Sequence, residues 1–331
     1  MENTIERHQT HNYGIDILRF LLAVTIVFGH FWTDRGNSGI GSEWIKLQNI
    51  AAPSFFLLSF FLSAKYILGS DQQKQCSRLK RLLLPFYFWG IVGWTVAALL
   101  LAGDKNSVIM SLIWQLFTGS SSNAPLWYLI VLVWITSLYF YIFKIRNKII
   151  AVMMIAGITV ASLILQYTGV NYWLFGDHSF EVKYTFGRII EMIPYASAGM
   201  LLWYVCEKLS KNVIFLACGI VGIILYHFFC YSLQPNGFGY AGIPRLIGAT
   251  SLVMFFVSLP LQTASKPITM LIKNVTNYTL GIYCMHSIVG TIIEKTVLIE
   301  NQILLCVLIY IVSYFISFVI SRIKKCECLV K

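Results

Sequence analysis

The sequence is poor in charged residues, and this scarcity argues against an ordinary soluble domain. Only 12% of its 331 residues are Asp, Glu, Lys or Arg, whereas soluble globular domains carry about 25%. Acidic residues are the scarcest, since 14 Asp and Glu stand against 25 Lys and Arg. Hydrophobic residues make up 57% and the mean hydropathy is +0.71. This composition predicts a polytopic membrane protein.

The absence of several other sequence features excludes further classes of protein. The basic residues form short clusters between apolar stretches rather than one patch, which argues against binding of nucleic acid. The eight cysteines are scattered, apart from Cys326 and Cys328, so we expect neither a disulfide framework nor a bound metal. No Pro-rich linker and no internal repeat is visible, which predicts one domain over 1–331. The start does not resemble a cleaved signal peptide, so we expect cytoplasmic segments at 1–13 and 322–331.

Apolar stretches predict an all-α bundle of about ten transmembrane helices. Stretches long enough to cross a bilayer, roughly 17 to 25 residues each, lie near 15–33, 48–68, 83–102, 126–143, 149–168, 189–206, 213–231, 243–261, 279–297 and 302–321. The segment 107–119 is too short and too polar to span, so we predict a re-entrant or interfacial piece there.

The distribution of Lys and Arg between these stretches predicts the orientation. The connections on one side hold 17 of them and those on the other side hold 7. The positive-inside rule places the richer side in the cytoplasm. Both termini are therefore expected to be cytoplasmic.

The first apolar stretch contains three ionisable residues, Asp16, Arg19 and His30. Such side chains cost free energy in the membrane and tend to face the bundle interior or a watery cavity. Arg19 and His30 are eleven positions apart, so they lie within about 20° of one helix face and roughly 16 Å apart along it. We expect both to point into one groove, with Asp16 paired to Arg19. Alternatively, the side chains of Asp16 and Arg19 extend to the membrane interface, and His30 only joins a hydrogen-bond network.

Further polar and aromatic residues stand near other apolar stretches. Arg78 and Arg81 share a face at the start of the third helix, where they would clamp a phosphate or simply anchor the helix at the lipid headgroups. Trp127 and Tyr128 open the fourth helix as interfacial aromatics do. His286 lies inside a late apolar helix, where a histidine is more often structural than catalytic.

Six stretches together resemble the acyltransferase 3 family of integral membrane acyltransferases. IDILRFLLAVTIVFGH at 15–30 matches the family's signature of an arginine and a histidine separated by ten residues. The other similar segments are FFLLSFFLS at 55–63, where Phe60 replaces a common glycine, RLKRLLLPFYFW at 78–89, APLWYL at 124–129, RIIEMIPYASAGMLLWY at 188–204 and YTLGIYCMHSIV at 278–289. They keep the family's order over nearly the whole chain.

The resemblance implies a ten-helix membrane O-acyltransferase of the bacterial inner membrane. It would transfer an acetyl group from acetyl-CoA to a hydroxyl of a cell-envelope glycan, such as a lipid-linked oligosaccharide or an O-antigen polysaccharide. Some members carry a fused esterase-like domain, which we do not expect within these 331 residues. The implied catalytic residues are His30, Arg19 and Asp16, and the donor would be held by Arg78, Arg81 and Arg19. Trp127, Tyr128, His286 and Ser59 are candidates for substrate binding and for stabilising the oxyanion.

Several alternatives stay open at this point. An imidazole can act as a general base in a direct transfer, or a side chain can carry the acetyl group covalently between two substrates. The connections 168–188 and 232–245 are rich in aromatic and polar residues and are candidates for contact with the acceptor. The same residues on a pathway would suit a transporter or flippase, and a non-catalytic envelope-assembly subunit is a further alternative.

Overall fold

The computed structural model builds the chain from helices. It describes residues 12–33, 39–101, 112–113, 116–117, 124–168, 182–208, 212–230, 239–259, 266–323 and 326–331, and these contain no strand. The α-helices with described bounds are α1 Tyr13–Phe31, α2 Gly39–Leu68, α3 Gln72–Leu101, α4 Trp127–Phe143, α5 Lys148–Gln166, α6 Val182–Lys208, α7 Asn212–Phe229, α8 Ile243–Ser258, α9 Lys266–Thr276, α10 Thr279–Thr296 and α11 Gln302–Arg322. Short 3₁₀ helices cover Ala124–Leu126 and Glu327–Leu329.

A helix forms at every one of the ten predicted stretches. In the described part of the chain, six helices are long and apolar enough to cross a membrane: Tyr13–Phe31, Glu43–Leu68, Gln72–Leu99, Lys148–Gln166, Tyr184–Lys208 and Gln302–Arg322. Three shorter apolar helices are Trp127–Phe143, Val213–Phe229 and Ile243–Ser258. The all-helical class is confirmed, while the count of ten spans and the orientation stay predictions.

The structure differs from the sequence-based bounds at the starts of three helices and at one unpredicted helix. Helix α6 begins at Val182 rather than near 189. Helices α2 and α3 begin well before the predicted 48–68 and 83–102, because a helix continues through polar turns that a search for apolar stretches passes over. The short helix α9 was not predicted, since its sequence KPITMLIKNVT has too few consecutive apolar residues. Most of the predicted re-entrant piece at 107–119 lies outside the described residues.

Pro194 interrupts the backbone hydrogen bonds of α6, and side chains of a neighbouring helix replace the missing bond. Pro194 has no N–H, so the carbonyl of Ile190, four residues earlier, loses its helical partner. Ser162 and Gln166 of α5 both donate to that carbonyl, the amide of Gln166 at 3.1 Å. The orphaned carbonyl is therefore satisfied by a neighbouring helix, as is required away from water.

Helix α1 occupies a central position in the bundle. It contacts α2, α8, α9, α10 and α11, while α2 packs along α6 and α7 along α8. The side chain of Asn12 caps α1 by accepting the N–H of Ile15, and its amide donates to the carbonyl of Val257 at 2.9 Å. Of the ionisable residues of α1, Asp16 is buried and Arg19 half-buried, whereas His30 near the end of the helix is exposed.

The C-terminal segment Cys326–Lys331 packs back against the helices. Leu329 is 7% exposed and Val330 is fully buried. The indole N–H of Trp89 in α3 donates to the carbonyl of Leu329 at 3.0 Å, and the N–H of Gly281 in α10 donates to that of Val330 at 3.1 Å. The end of the predicted tail 322–331 is therefore part of the packed bundle.

Candidate active site

A cavity of about 500 Å³ lies between α1, α2, α3, α4 and α10, and cationic side chains line it. Its volume is within the 300 to 1,000 Å³ typical of ligand pockets. The lining includes Arg19, Ser59, Tyr66, Lys74, Arg78, Arg81, Tyr128, Tyr283 and Lys331. We call the end of the bundle where Lys74, Arg81 and Lys331 lie the basic end. Within the described ranges, no group of three His, Cys, Asp or Glu residues is placed to bind a metal ion.

Arg19 lines the cavity from α1, and Asp16 supports it from behind. Arg19 lies within electrostatic range of Asp16, Arg81 and Tyr128. Asp16 is 6% exposed and does not line the cavity. Asp16 is thus placed to compensate the charge of Arg19, and its predicted part in catalysis stays a prediction.

Arg78 is fixed to α2 by three hydrogen bonds. One terminal nitrogen donates to the Ser59 carbonyl (3.2 Å) and to the Tyr66 hydroxyl (2.7 Å), and the other donates to the Ser59 hydroxyl (2.8 Å). Its Nε–H is buried and has no partner among the described residues. Ser59, a candidate for the substrate or the oxyanion, thus holds Arg78 in place. Arg78 keeps donors for a ligand.

The mouth of the cavity is more exposed than its interior. Arg81 is exposed there, and Lys74 lies 3.4 Å from Asp71. Asp71 precedes α3 and accepts the backbone N–H of Lys74 at 3.0 Å, which lowers the pKa of the Asp71 carboxyl below its ordinary value. The charged Asp71 therefore anchors the first turn of the helix that carries Arg78 and Arg81.

A second, smaller pocket of about 40 Å³ contains His30. Its other lining residues are Ile26, Gln48, Ala52, Pro125, Trp127, Tyr240 and Tyr283. Tyr283 borders both pockets, its hydroxyl donates to the carbonyl of Pro125, and its ring centroid lies 5.2 Å from that of Tyr128. The prediction of one groove shared by Arg19 and His30 is therefore wrong in detail. The two residues line different cavities, and Tyr283 of α10 borders both of them.

Two histidines lie together beside the small pocket, the exposed His30 of its lining and His286 of α10. The ring centroids of His30 and His286 are 5.2 Å apart, and His286 is fully buried. Nδ1 of His286 lies 3.1 Å from the carbonyl of Ile282, so that nitrogen carries the proton and Nε2 is left as an acceptor. Nε2 is buried and has no hydrogen-bond partner in the described part of the chain.

A buried ion pair beside this pocket was missed in the sequence. Arg188 and Glu191 of α6 are joined at 2.6 Å, and Glu191 is fully buried. The guanidinium of Arg188 lies 4.9 Å from the ring of Trp127 and 5.1 Å from that of Tyr240, and these two rings stack with centroids 5.7 Å apart. An arginine and a glutamate three positions apart in an apolar helix are the same signal as Asp16 and Arg19.

The candidate acceptor loops are only partly described. Of 168–188 and 232–245, residues 169–181 and 232–238 lie outside the described residues. Tyr240, from the second connection, lines the small pocket, and its N–H donates to Glu191 at 3.2 Å. The connection at 239–242 is thereby tied to the ion pair.

Comparison with known proteins identifies the family of the chain. No curated protein and no solved structure matched the chain. The family model described as an acyltransferase domain matches residues 12–322, nearly the whole chain. The chain therefore belongs to the acyltransferase 3 family.

Proposed function

We propose that the protein is a membrane O-acetyltransferase that moves an acetyl group from cytoplasmic acetyl-CoA to a hydroxyl of a cell-envelope glycan. The acceptor would be a lipid-linked oligosaccharide or a surface polysaccharide, modified at the bacterial inner membrane. The observation that carries the proposal is the pair of adjoining cavities. One is lined by Arg19, Arg78 and Arg81, and the other contains His30.

The basic cavity suits a phosphorylated donor. Guanidinium groups bind phosphates through charge-assisted hydrogen bonds, and three arginines converge on this space. A long, thin donor arm entering here would reach Tyr128 and Tyr283, and Tyr283 borders both cavities. The thioester would then pass this pair to arrive beside His30.

His30 is the proposed general base. It removes the proton of the acceptor hydroxyl as that oxygen attacks the thioester carbonyl carbon. The tetrahedral intermediate then collapses, the carbon–sulfur bond breaks, and the protonated imidazole returns the proton to the leaving thiolate. The products are an acetyl ester and free CoA. Acid–base catalysis of this kind contributes about 10²- to 10⁴-fold in rate.

His286 is the proposed positioning residue for His30. Because its Nδ1 proton is engaged by Ile282, His286 offers only an acceptor nitrogen to its neighbour. An acceptor nitrogen next to His30 favours the tautomer that carries its proton on the ring nitrogen nearer His286, and the other ring nitrogen of His30 is the one proposed to take the proton of the acceptor hydroxyl. In this arrangement the histidine pair defines the direction of proton transfer.

The acceptor is proposed to approach from the side of Trp127 and Tyr240, away from the basic end. Their stacked rings offer an apolar wall of the kind against which the face of a sugar ring packs. The small pocket has room only for one or two water-sized groups. It would admit the reacting hydroxyl rather than a whole sugar.

The test is acetyl transfer by the purified protein. The wild-type protein in detergent or nanodiscs is mixed with radiolabelled acetyl-CoA and a lipid-linked oligosaccharide fraction, and label in the glycan is counted. We expect transfer by the wild type and a loss of about 10²- to 10⁴-fold in kcat for His30→Ala. His227→Ala is the matched control, because His227 lies at the end of α7 beside Glu43 and outside both cavities.

Two results would contradict the proposal. An active His30→Ala protein would exclude His30 as the base. Movement of a glycan precursor across vesicles without any labelled ester would instead support a transporter.

A further inference from the structure

The C-terminal segment Cys326–Lys331 connects two walls of the basic cavity. Trp89 belongs to α3, the helix that carries Arg78 and Arg81. Gly281 belongs to α10, which contributes Thr279, Leu280 and Tyr283 to the lining. Both donate backbone or indole N–H groups to carbonyls of this segment, so its position depends on the two helices that shape the cavity.

Gly281 leaves the space that the segment occupies. A Cβ atom at this position would lie 2.9 Å from Cβ of Val330 and 3.0 Å from Cβ of Ser317. Val330 therefore sits in a notch between α10 and α11 that any larger residue at 281 would close. This close fit fixes the last residues of the chain relative to the cavity.

Lys331 follows directly and lines the cavity. Its Nζ lies 2.7 Å from Oε1 of Glu327 and 5.6 Å from the ring centroid of Tyr278. An ammonium group has three N–H donors, and the ion pair with Glu327 uses one of them. Lys331 therefore keeps donors for a ligand inside the cavity.

We infer that the C-terminal segment is a built part of the donor site and that Lys331 binds a phosphate of the donor. The inference rests on the proposed function for the identity of that donor. Glu327 would hold the ammonium group at the edge of the cavity until a phosphate competes for it. The segment would thus add to the arginine cavity a cation that lies far from it in the sequence.

The experiment compares Michaelis constants for acetyl-CoA at several salt concentrations. Lys331→Gln is expected to raise KM about 3- to 10-fold with kcat nearly unchanged, because one partly exposed contact to phosphate is lost. The slope of log KM against log salt should become shallower. Lys144→Gln is the matched control, since Lys144 is an exposed lysine at the end of α4 and outside the cavity.

Two further variants separate phosphate binding from a structural role. Glu327→Gln should lower KM, because it frees Lys331 for the donor. Trp89→Phe, which removes the hydrogen bond to Leu329, should raise KM in the same direction as Lys331→Gln. An increase in KM for Glu327→Gln, or wild-type values and salt slope for Lys331→Gln, would overturn the inference.

The result is distinguishable from a failure of the proposed function. If the wild-type protein transfers no acetyl group, the proposed function fails. If the wild type is active and Lys331→Gln behaves like Lys144→Gln, only the role of the segment is wrong.

Discussion

His30 and His286 face one another with ring centroids 5.2 Å apart, and the Nδ1 proton of His286 is held by the carbonyl of Ile282. The two residues are separated by most of the chain, on α1 and α10. Their proximity ties the family's arginine and histidine signature to its late histidine. Of the two, His30 lines the small cavity, whereas His286 lines neither of the two cavities described above.

The histidine pair predicts different effects for two substitutions of His286. An amide at the end of a glutamine reaches the region of Nε2, whereas that of asparagine reaches only the region of Nδ1. We expect His286→Asn to lower kcat about 10- to 100-fold, because it removes the acceptor beside His30. His286→Gln should retain most of the activity, and KM for acetyl-CoA should change little in both.

Steady-state kinetics of the two variants measure this difference. Thr291→Val on the same helix is the control, because the Thr291 hydroxyl bonds only to its own helix, at Ser287. Equal losses for asparagine and glutamine would show that His286 acts through packing alone.

The two arginines of α3 are expected to differ in how well a lysine can replace them. Arg78 uses both terminal nitrogens to bridge Ser59 and Tyr66, a fork that a lysine cannot reproduce. Arg81 is exposed at the mouth, where a charge alone suffices. We expect Arg78→Lys to raise KM for acetyl-CoA at least tenfold and Arg81→Lys to change it less than about threefold.

Calorimetric measurement of acetyl-CoA binding to each variant tests this difference between Arg78 and Arg81. Arg81→Gln should weaken binding more than Arg81→Lys, since it removes the charge. Similar affinities for Arg78→Lys and the wild type would show that the fork to α2 does not matter for the donor.

The buried pair of Arg188 and Glu191 predicts a strong effect on stability. Glu191→Gln leaves the guanidinium without its charged partner in a fully buried position, which costs about 3 to 5 kcal/mol. Thermal unfolding of the protein in detergent should show a clearly lower midpoint. The half-exposed Glu43, which pairs with Lys46 and His227, is the control, and Glu43→Gln should leave the midpoint nearly unchanged. An unaltered midpoint for Glu191→Gln would refute the pairing.

The contact at Pro194 predicts that substitutions in α5 and α6 have coupled effects on the free energy of unfolding. Ser162→Ala removes a donor to the Ile190 carbonyl and should cost about 1 kcal/mol of stability in the wild type. In a Pro194→Ala background, residue 194 regains an N–H for that carbonyl, and the same substitution should cost close to nothing. A double-mutant cycle of unfolding midpoints measures the difference, and equal costs in both backgrounds would contradict the assignment.

The sequence by itself determined the helical membrane class, the family and the short-range pairs. Apolar stretches locate helices because each must bury its backbone hydrogen bonds internally, and Asp16 with Arg19, like Arg78 with Arg81, is fixed by helical spacing. The sequence pattern did not predict the amphipathic helix α9 or the early starts of α2 and α3, because the apolar signal is weak in those segments.

Only the tertiary structure decided which distant residues meet. Packing between helices far apart in the chain decides whether His30 lies beside His286. It also decides whether Tyr283 borders both cavities and whether Lys331 reaches the basic cavity. The periodicity of one helix gives the face on which a residue lies, but not the neighbour that this face meets. That neighbour is set by the fit of side chains, such as Val330 in the notch at Gly281.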